Sequence, residues 1–180
     1  VSPILGIWAS QNYTRYQLPT SFESIATTTV GSSGVSNVEF TSIPSTYTHL
    51  QIRGIFRQTG GDQWNSIQFN GDTGSNYATH NLYGTGASAV SEAAAPGTNT
   101  LLGNGAQPIP FVIDILDYAN TNKFKTTRLL WGMDSNGGGY IMFGSHLWRN
   151  TNAITSVKIN GVSSNFAQYS SFALYGIKGA

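Results

Sequence analysis

The sequence predicts an all-β domain, an antiparallel sandwich of jelly-roll type. Short runs rich in Val, Ile, Thr, Phe and Tyr alternate between apolar and polar positions. Gly, Asn and Pro punctuate those runs. No segment carries the 3.6-residue period of an amphipathic helix. The 180 residues suit a single domain large enough to bury a core without disulfides. The expected organisation is an N-terminal arm over residues 1–19 and one sandwich domain over 20–180.

The arm is bracketed by Pro3 and Pro19, which disfavour a continuous helix. Its Ile4, Leu5, Ile7, Trp8, Tyr13 and Tyr16 need burial. The expectation is that they pack on a neighbouring subunit or another protein, since an exposed apolar cluster marks a contact site. The apolar stretch 4–8 is too short to span a membrane, and no basic region precedes it.

Strands are predicted at residues 24–30, 35–43 and 47–57. In the third, Leu50, Ile52 and Phe56 fall on one face and His49, Gln51, Arg53 and Arg57 on the other, the period of a half-buried strand. Residues 66–69 follow a turn at Gly60-Gly61-Asp62 and precede the turn signal Asn70-Gly71. Residues 74–107, rich in Gly, Ala, Ser and Asn, read as a long loop. Strands resume at 110–118, 125–133, 140–148, 155–160 and 170–177, with turns at Asn136-Gly137 and Asn160-Gly161. About nine strands at this spacing suggest a sandwich or jelly roll. Apolar residues on both faces of 111–116 point to an oligomer.

Composition narrows the function. Only 9% of residues are charged, against roughly 25% in an ordinary soluble domain. Such a surface suits a protein held in an assembly, where burying Lys or Glu is costly. The net charge is +1, and no basic run offers a nucleic-acid footprint. Lys123 and Lys125 form the densest basic spot and read as a solvated loop. With no cysteine, disulfides, zinc–thiolate sites and cysteine nucleophiles are excluded.

Candidate chemistry is weak throughout. His49, His80 and His146 are far apart, and a metal site would need them to converge. Asp114 and Asp117, three apart on a strand, would point to opposite faces, unlike a catalytic carboxylate pair. Asp117 reads as a turn residue with Asn120. The oxygen-rich stretch 70–76 has one carboxylate and lacks the calcium-loop spacing, so it reads as a turn. Ser145-His146 lacks a nucleophile elbow, and strand neighbours face opposite ways. The Gly-rich stretch from Gly84 lacks the lysine of a phosphate loop. Trp64, Trp131, Trp148 and Tyr140 could stack on sugar rings; Trp64, in a polar turn beside Asp62 and Asn65, is the best placed.

Five segments carry a family resemblance: residues 21–27 (SFESIAT), 40–53 (FTSIPSTYTHLQIR), 69–77 (FNGDTGSNY), 113–121 (IDILDYANT) and 171–179 (SFALYGIKG). Together they resemble virion proteins of tailed phages, frequent in aquatic and cyanobacterial phages, from about residue 4 onward. The resemblance implies a β-sandwich carried on the capsid or on tail fibres, without enzymatic activity, and supplies no functional residues to carry over. The leading expectation is a capsid decoration or cement protein on the outer surface of the particle. Its partners would be the major capsid protein or other virion proteins, without cofactor, nucleic acid or membrane. A trimer is expected by analogy with jelly-roll virion proteins. The alternative is a glycan-binding head of a tail fibre, with Trp64 as its contact.

Overall fold

The computed structural model describes residues 21–60, 64–97, 100–102 and 107–179. The arm at 1–19, with Ile4, Leu5, Ile7, Trp8, Tyr13 and Tyr16, lies outside the described residues, as does Asp62. Twelve strands follow in order: β1 (Phe22–Thr29), β2 (Asn37–Phe40), β3 (His49–Phe56), β4 (Asn65–Phe69), β5 (Tyr77–Gly84), β6 (Ala89–Gly97), β7 (Thr100–Leu102), β8 (Ile109–Leu116), β9 (Lys125–Asp134), β10 (Gly139–Trp148), β11 (Val157–Gly161) and β12 (Ser171–Ile177). No helix occurs among the described residues.

The strands form two antiparallel sheets packed as a sandwich. The larger has eight strands, in the order β1-β12-β3-β8-β9-β10-β5-β6. The smaller has four, in the order β2-β11-β4-β7. A regular jelly roll divides its eight strands evenly; here the chain crosses repeatedly between sheets of unequal width.

Alternation builds the core. In β3, Leu50, Ile52 and Phe56 are buried while Arg53 is exposed. Ile113 and Ile115 of β8 and Phe172 and Leu174 of β12 face the same layer, against Ile67 and Phe69 of β4 and Val157 and Ile159 of β11. Phe166 meets Phe56 edge-on at 5.6 Å and Phe172 at 4.9 Å. Each such side chain contributes about 1.5–3 kcal/mol by leaving water.

Asn70-Gly71 and Asn136-Gly137 are tight turns with positive φ at both central residues. They are closed by Asp72 N–H to Phe69 O at 2.9 Å and by Ser135 N–H to Gly138 O at 2.8 Å. The second joins β9 to β10, as its sequence predicts.

Three expectations need correction. Residues 74–107 are not a long loop, for they contain β5, β6 and β7. The strand expected over 35–43 shrinks to β2, because Ser42 turns left-handed (φ 54°). Asn160-Gly161 is not a turn: both residues lie in β11, and the chain reverses after them, where Ser163 has φ 63°. Gly161 is there for close approach, since a Cβ would come within 2.2 Å of Ser164 O.

Candidate interaction face and the polar groups behind it

The outer face of the large sheet is set out in cross-strand rows. One row runs Arg53, Val112, Leu130, Phe143, Leu82 across β3, β8, β9, β10 and β5. Leu130, Phe143 and Leu82 are 50%, 54% and 55% exposed, and Ile141, two residues along β10, is 62% exposed. Contiguous exposed apolar side chains on one sheet face mark a contact surface. The adjacent row is polar: Tyr175, Gln51, Asp114, Arg128, Ser145, His80. Gln51 Nε2 donates to Asp114 Oδ1 at 2.6 Å, and Arg53 Nε donates to Gln51 Oε1. Phe22 stacks on Tyr175 at 4.7 Å, with the Arg53 guanidinium 5.0 Å from the Phe22 ring centre. Toward the β6 edge the face hollows into an open groove of about 640 Å³, lined by His80, Leu82, Ser91, Ala93, Phe143 and Ser145.

Sequence reasoning did not single out Leu82, Leu130, Ile141 or Phe143. A signal was present for three of them. Leu129-Leu130-Trp131 and Ile141-Met142-Phe143 are unbroken apolar triplets, and in a strand a triplet puts apolar groups on both faces. Leu129, Trp131 and Met142 fill the core side.

Behind this face sit polar groups tied up in structural roles. Lys125, expected in a solvated loop, is fully buried. Its ammonium donates to Asn120 O at 2.5 Å, Lys123 O at 3.0 Å and Thr151 O at 3.0 Å. It thereby joins the β8–β9 and β10–β11 loops. Burial lowers its pKa, yet three carbonyl acceptors need the three protons of the charged form.

Asp72, the carboxylate of the oxygen-rich stretch, is likewise engaged. Its oxygens accept from Trp148 Nε1 at 2.7 Å, Asn76 Nδ2 at 2.9 Å and Gly74 N–H at 2.8 Å. Burial pushes the carboxyl upward, but these donors outweigh it and hold it below its ordinary value. Tyr77 donates to Asp72 O at 3.0 Å, and burial raises its phenol to about 12.

His146 faces inward beside Thr127 and Thr79 of the neighbouring strands, and all three are buried. Asn81 Nδ2 donates to Glu92 Oε1 at 3.2 Å, which turns Asn81 Oδ1 toward His146 Nε2, also at 3.2 Å. His146 therefore carries its proton on Nε2. Its Nδ1, like Thr127 Oγ1, is buried without a hydrogen-bond partner. Burial lowers the imidazole to about 4. Gly144 makes room for this arrangement, because a Cβ would stand 2.7 Å from His146 Nε2 and 2.9 Å from Asn81 Oδ1.

The three histidines do not converge. His49 Nδ1 accepts from Asp117 N–H at 2.9 Å at one sheet end, His80 is exposed on the outer face, and His146 is buried on the inner one. Among the described residues, no group of three or more His, Asp or Glu side chains gathers where it could hold a metal ion. Asp114 lies on the outer face of β8, whereas Asp117 stands past the strand end with φ 48°. Asp117 O accepts from Asn120 N–H at 3.0 Å, the turn expected of it. The Lys123 ammonium, hydrogen-bonded to its carboxylate, holds that group below its ordinary pKa. Ser145 is exposed and His146 buried, on opposite faces of β10. Of the aromatic candidates, Trp131 and Trp148 belong to the core; Trp64 is 49% exposed and Tyr140 37%. No helix of the described residues is long and apolar enough to cross a membrane.

No model of a known protein family matches the chain, and no curated protein matches it.

Proposed function

We propose that the protein is a non-enzymatic structural component of a tailed-phage particle, a decoration or cement protein that stabilises the capsid from its outer surface. One observation carries the reading. A chain with 9% charged residues presents a row of half-exposed Leu130, Phe143 and Leu82 on the broad face of its larger sheet. Such a surface gains free energy by being covered. Of the polar groups with unusual environments, Lys125 and His146 are buried and Asp72 is half-buried, and all three hold loops or strands together. In this reading the sandwich is a jelly-roll variant that assembles as a trimer, and residues 1–19 attach it to the major capsid protein. Locating the protein by cryo-electron microscopy of the particle tests the reading. Density for the sandwich repeated over the shell lattice is the expected result; density confined to the tail refutes it.

A second reading, a glycan-binding head of a tail fibre, is favoured by Trp64 at 49% exposure and by Phe143 beside the His80, Ser91 and Ser145 groove. Aromatic faces flanked by small polar groups suit sugar rings. Binding of host surface glycans that is lost in Trp64→Ala or Phe143→Ala would favour it over the shell role.

A further inference from the structure

The outer face of the large sheet is complementary to itself. Its eight strands have a midline between β8 and β9, with β1, β12 and β3 on one side and β10, β5 and β6 on the other. A two-fold axis along that midline, parallel to the strands, sets β8 of one copy against β9 of the next, and β3 against β10. The cross-strand registers then fix what meets. Asp114 and Arg128 are direct neighbours across the midline in one row, and Val112 and Leu130 in the next. Rotation about the axis therefore brings Asp114 of each copy over Arg128 of the other, and Val112 over Leu130. One strand further out, Arg53 meets the exposed ring of Phe143, a cation over an aromatic face.

We propose that a second copy of this chain covers the outer face of the large sheet about this two-fold axis. Two arguments favour a second copy over an unrelated partner. The charges are complementary under the one operation a symmetric pair requires, since an isologous interface must present both signs in matched places. The area is also sufficient. Eight strands about 4.8 Å apart and roughly eight residues long, at about 3.3 Å each, offer a face of about 1,000 Å². A standard interface needs about 800 Å² per partner. Face-to-face sheets lie about 10 Å apart, within reach of an Arg128 side chain extended toward a carboxylate. Twist makes the pairs nearest the axis meet best, and these are the charged pair and the Val112–Leu130 contact.

The inference rests on reading this face as a contact surface, but its test is separate from the particle location. The mass of the full chain is measured by sedimentation across a concentration series for the wild type, Arg128→Asp, Asp114→Arg and the double exchange. The expected wild-type species is a dimer, or a hexamer if two trimers meet on these faces. Each single reversal is expected to weaken the pairing roughly tenfold or more, and the double exchange to restore it, because both charge pairs re-form with inverted sign. Leu130→Asp is expected to abolish pairing without rescue, and a single cooperative unfolding transition shows that each variant is folded. A wild type that is only monomer or only trimer overturns the proposal. Pairing indifferent to the single reversals, or not restored by the double exchange, overturns it too. A monomer that nevertheless decorates shells refutes this contact and leaves the capsid role standing, whereas a dimer absent from shells does the reverse.

Discussion

Replacing Lys125 with methionine keeps the aliphatic stem and removes only the ammonium. The wild-type group is fully buried and donates to three backbone carbonyls from two loops. A hydrogen bond to a charged group contributes about 1.5–3 kcal/mol. Three of them sum to several kcal/mol, from which the cost of keeping a cation out of water must be subtracted. Asn120, Lys123 and Thr151 are themselves exposed residues, so water can reach part of what the ammonium leaves. The net expectation for Lys125→Met is a loss of about 2–4 kcal/mol. At roughly 2–4 °C per kcal/mol for a chain of this size, the thermal midpoint is expected to fall by about 4–16 °C. Lys125→Arg is expected to be destabilising as well, because a planar guanidinium does not fit three carbonyls arranged around a point charge. Chemical denaturation at neutral pH, followed by tryptophan fluorescence, measures both. A methionine variant within about 0.5 kcal/mol of wild type, the range of an ordinary surface substitution, refutes the bridging role.

Three further outcomes follow from the polar groups. His146 has its folded pKa lowered to about 4 from the ordinary 6.5, so the unfolded chain binds the extra proton between those values. Stability is then full above pH 6.5 and falls by about 3 kcal/mol as pH drops to 4. Denaturation midpoints across that window are expected to show this slope, and His146→Gln to remove most of it. Asp72→Asn replaces an acceptor-only carboxylate that takes hydrogen bonds from Trp148, Asn76 and Gly74. It is expected to cost about 1–3 kcal/mol at neutral pH and to shift Trp148 emission. Gly144→Ala drives a methyl group into the His146–Asn81 hydrogen bond and is expected to cost about 1–3 kcal/mol in thermal unfolding.

Strands that alternate cleanly were legible in the sequence. β3, β8, β9, β10 and β12 stand within two residues of their expected bounds, because apolar side chains on a period of two leave few other ways to bury them. β5 was not legible. Its inward positions mix Tyr77 with Thr79 and Asn81, and its outward ones mix His80 with Leu82, so its polarity does not alternate cleanly. β6 is an edge strand, exposed over most of its length and rich in alanine, with nothing local to favour a strand over a helix. Both take their conformation from pairing, β5 on β10 and β6 on β5. The exposed apolar row was hidden for a related reason. A single exposed leucine carries no information, and only the registers of separate strands put Leu130, Phe143 and Leu82 side by side. Lys125 looked like a loop lysine because its acceptors are main-chain atoms, which no side-chain pattern reveals.

The last of the described strands occupies an interior place in the sheet: β12 lies between β1 and β3 and pairs with both. On the ribosome, β1 emerges long before β12, its partner among the described strands, has been made. β2 likewise waits for β11. Until residues 171–177 are released, β1 and one side of β3 keep open backbone edges, the kind that recruit other nascent chains. Folding that depends on such distant pairings is slow. Loss of residues 171–177 alone would therefore yield an aggregation-prone product rather than a slightly shortened domain.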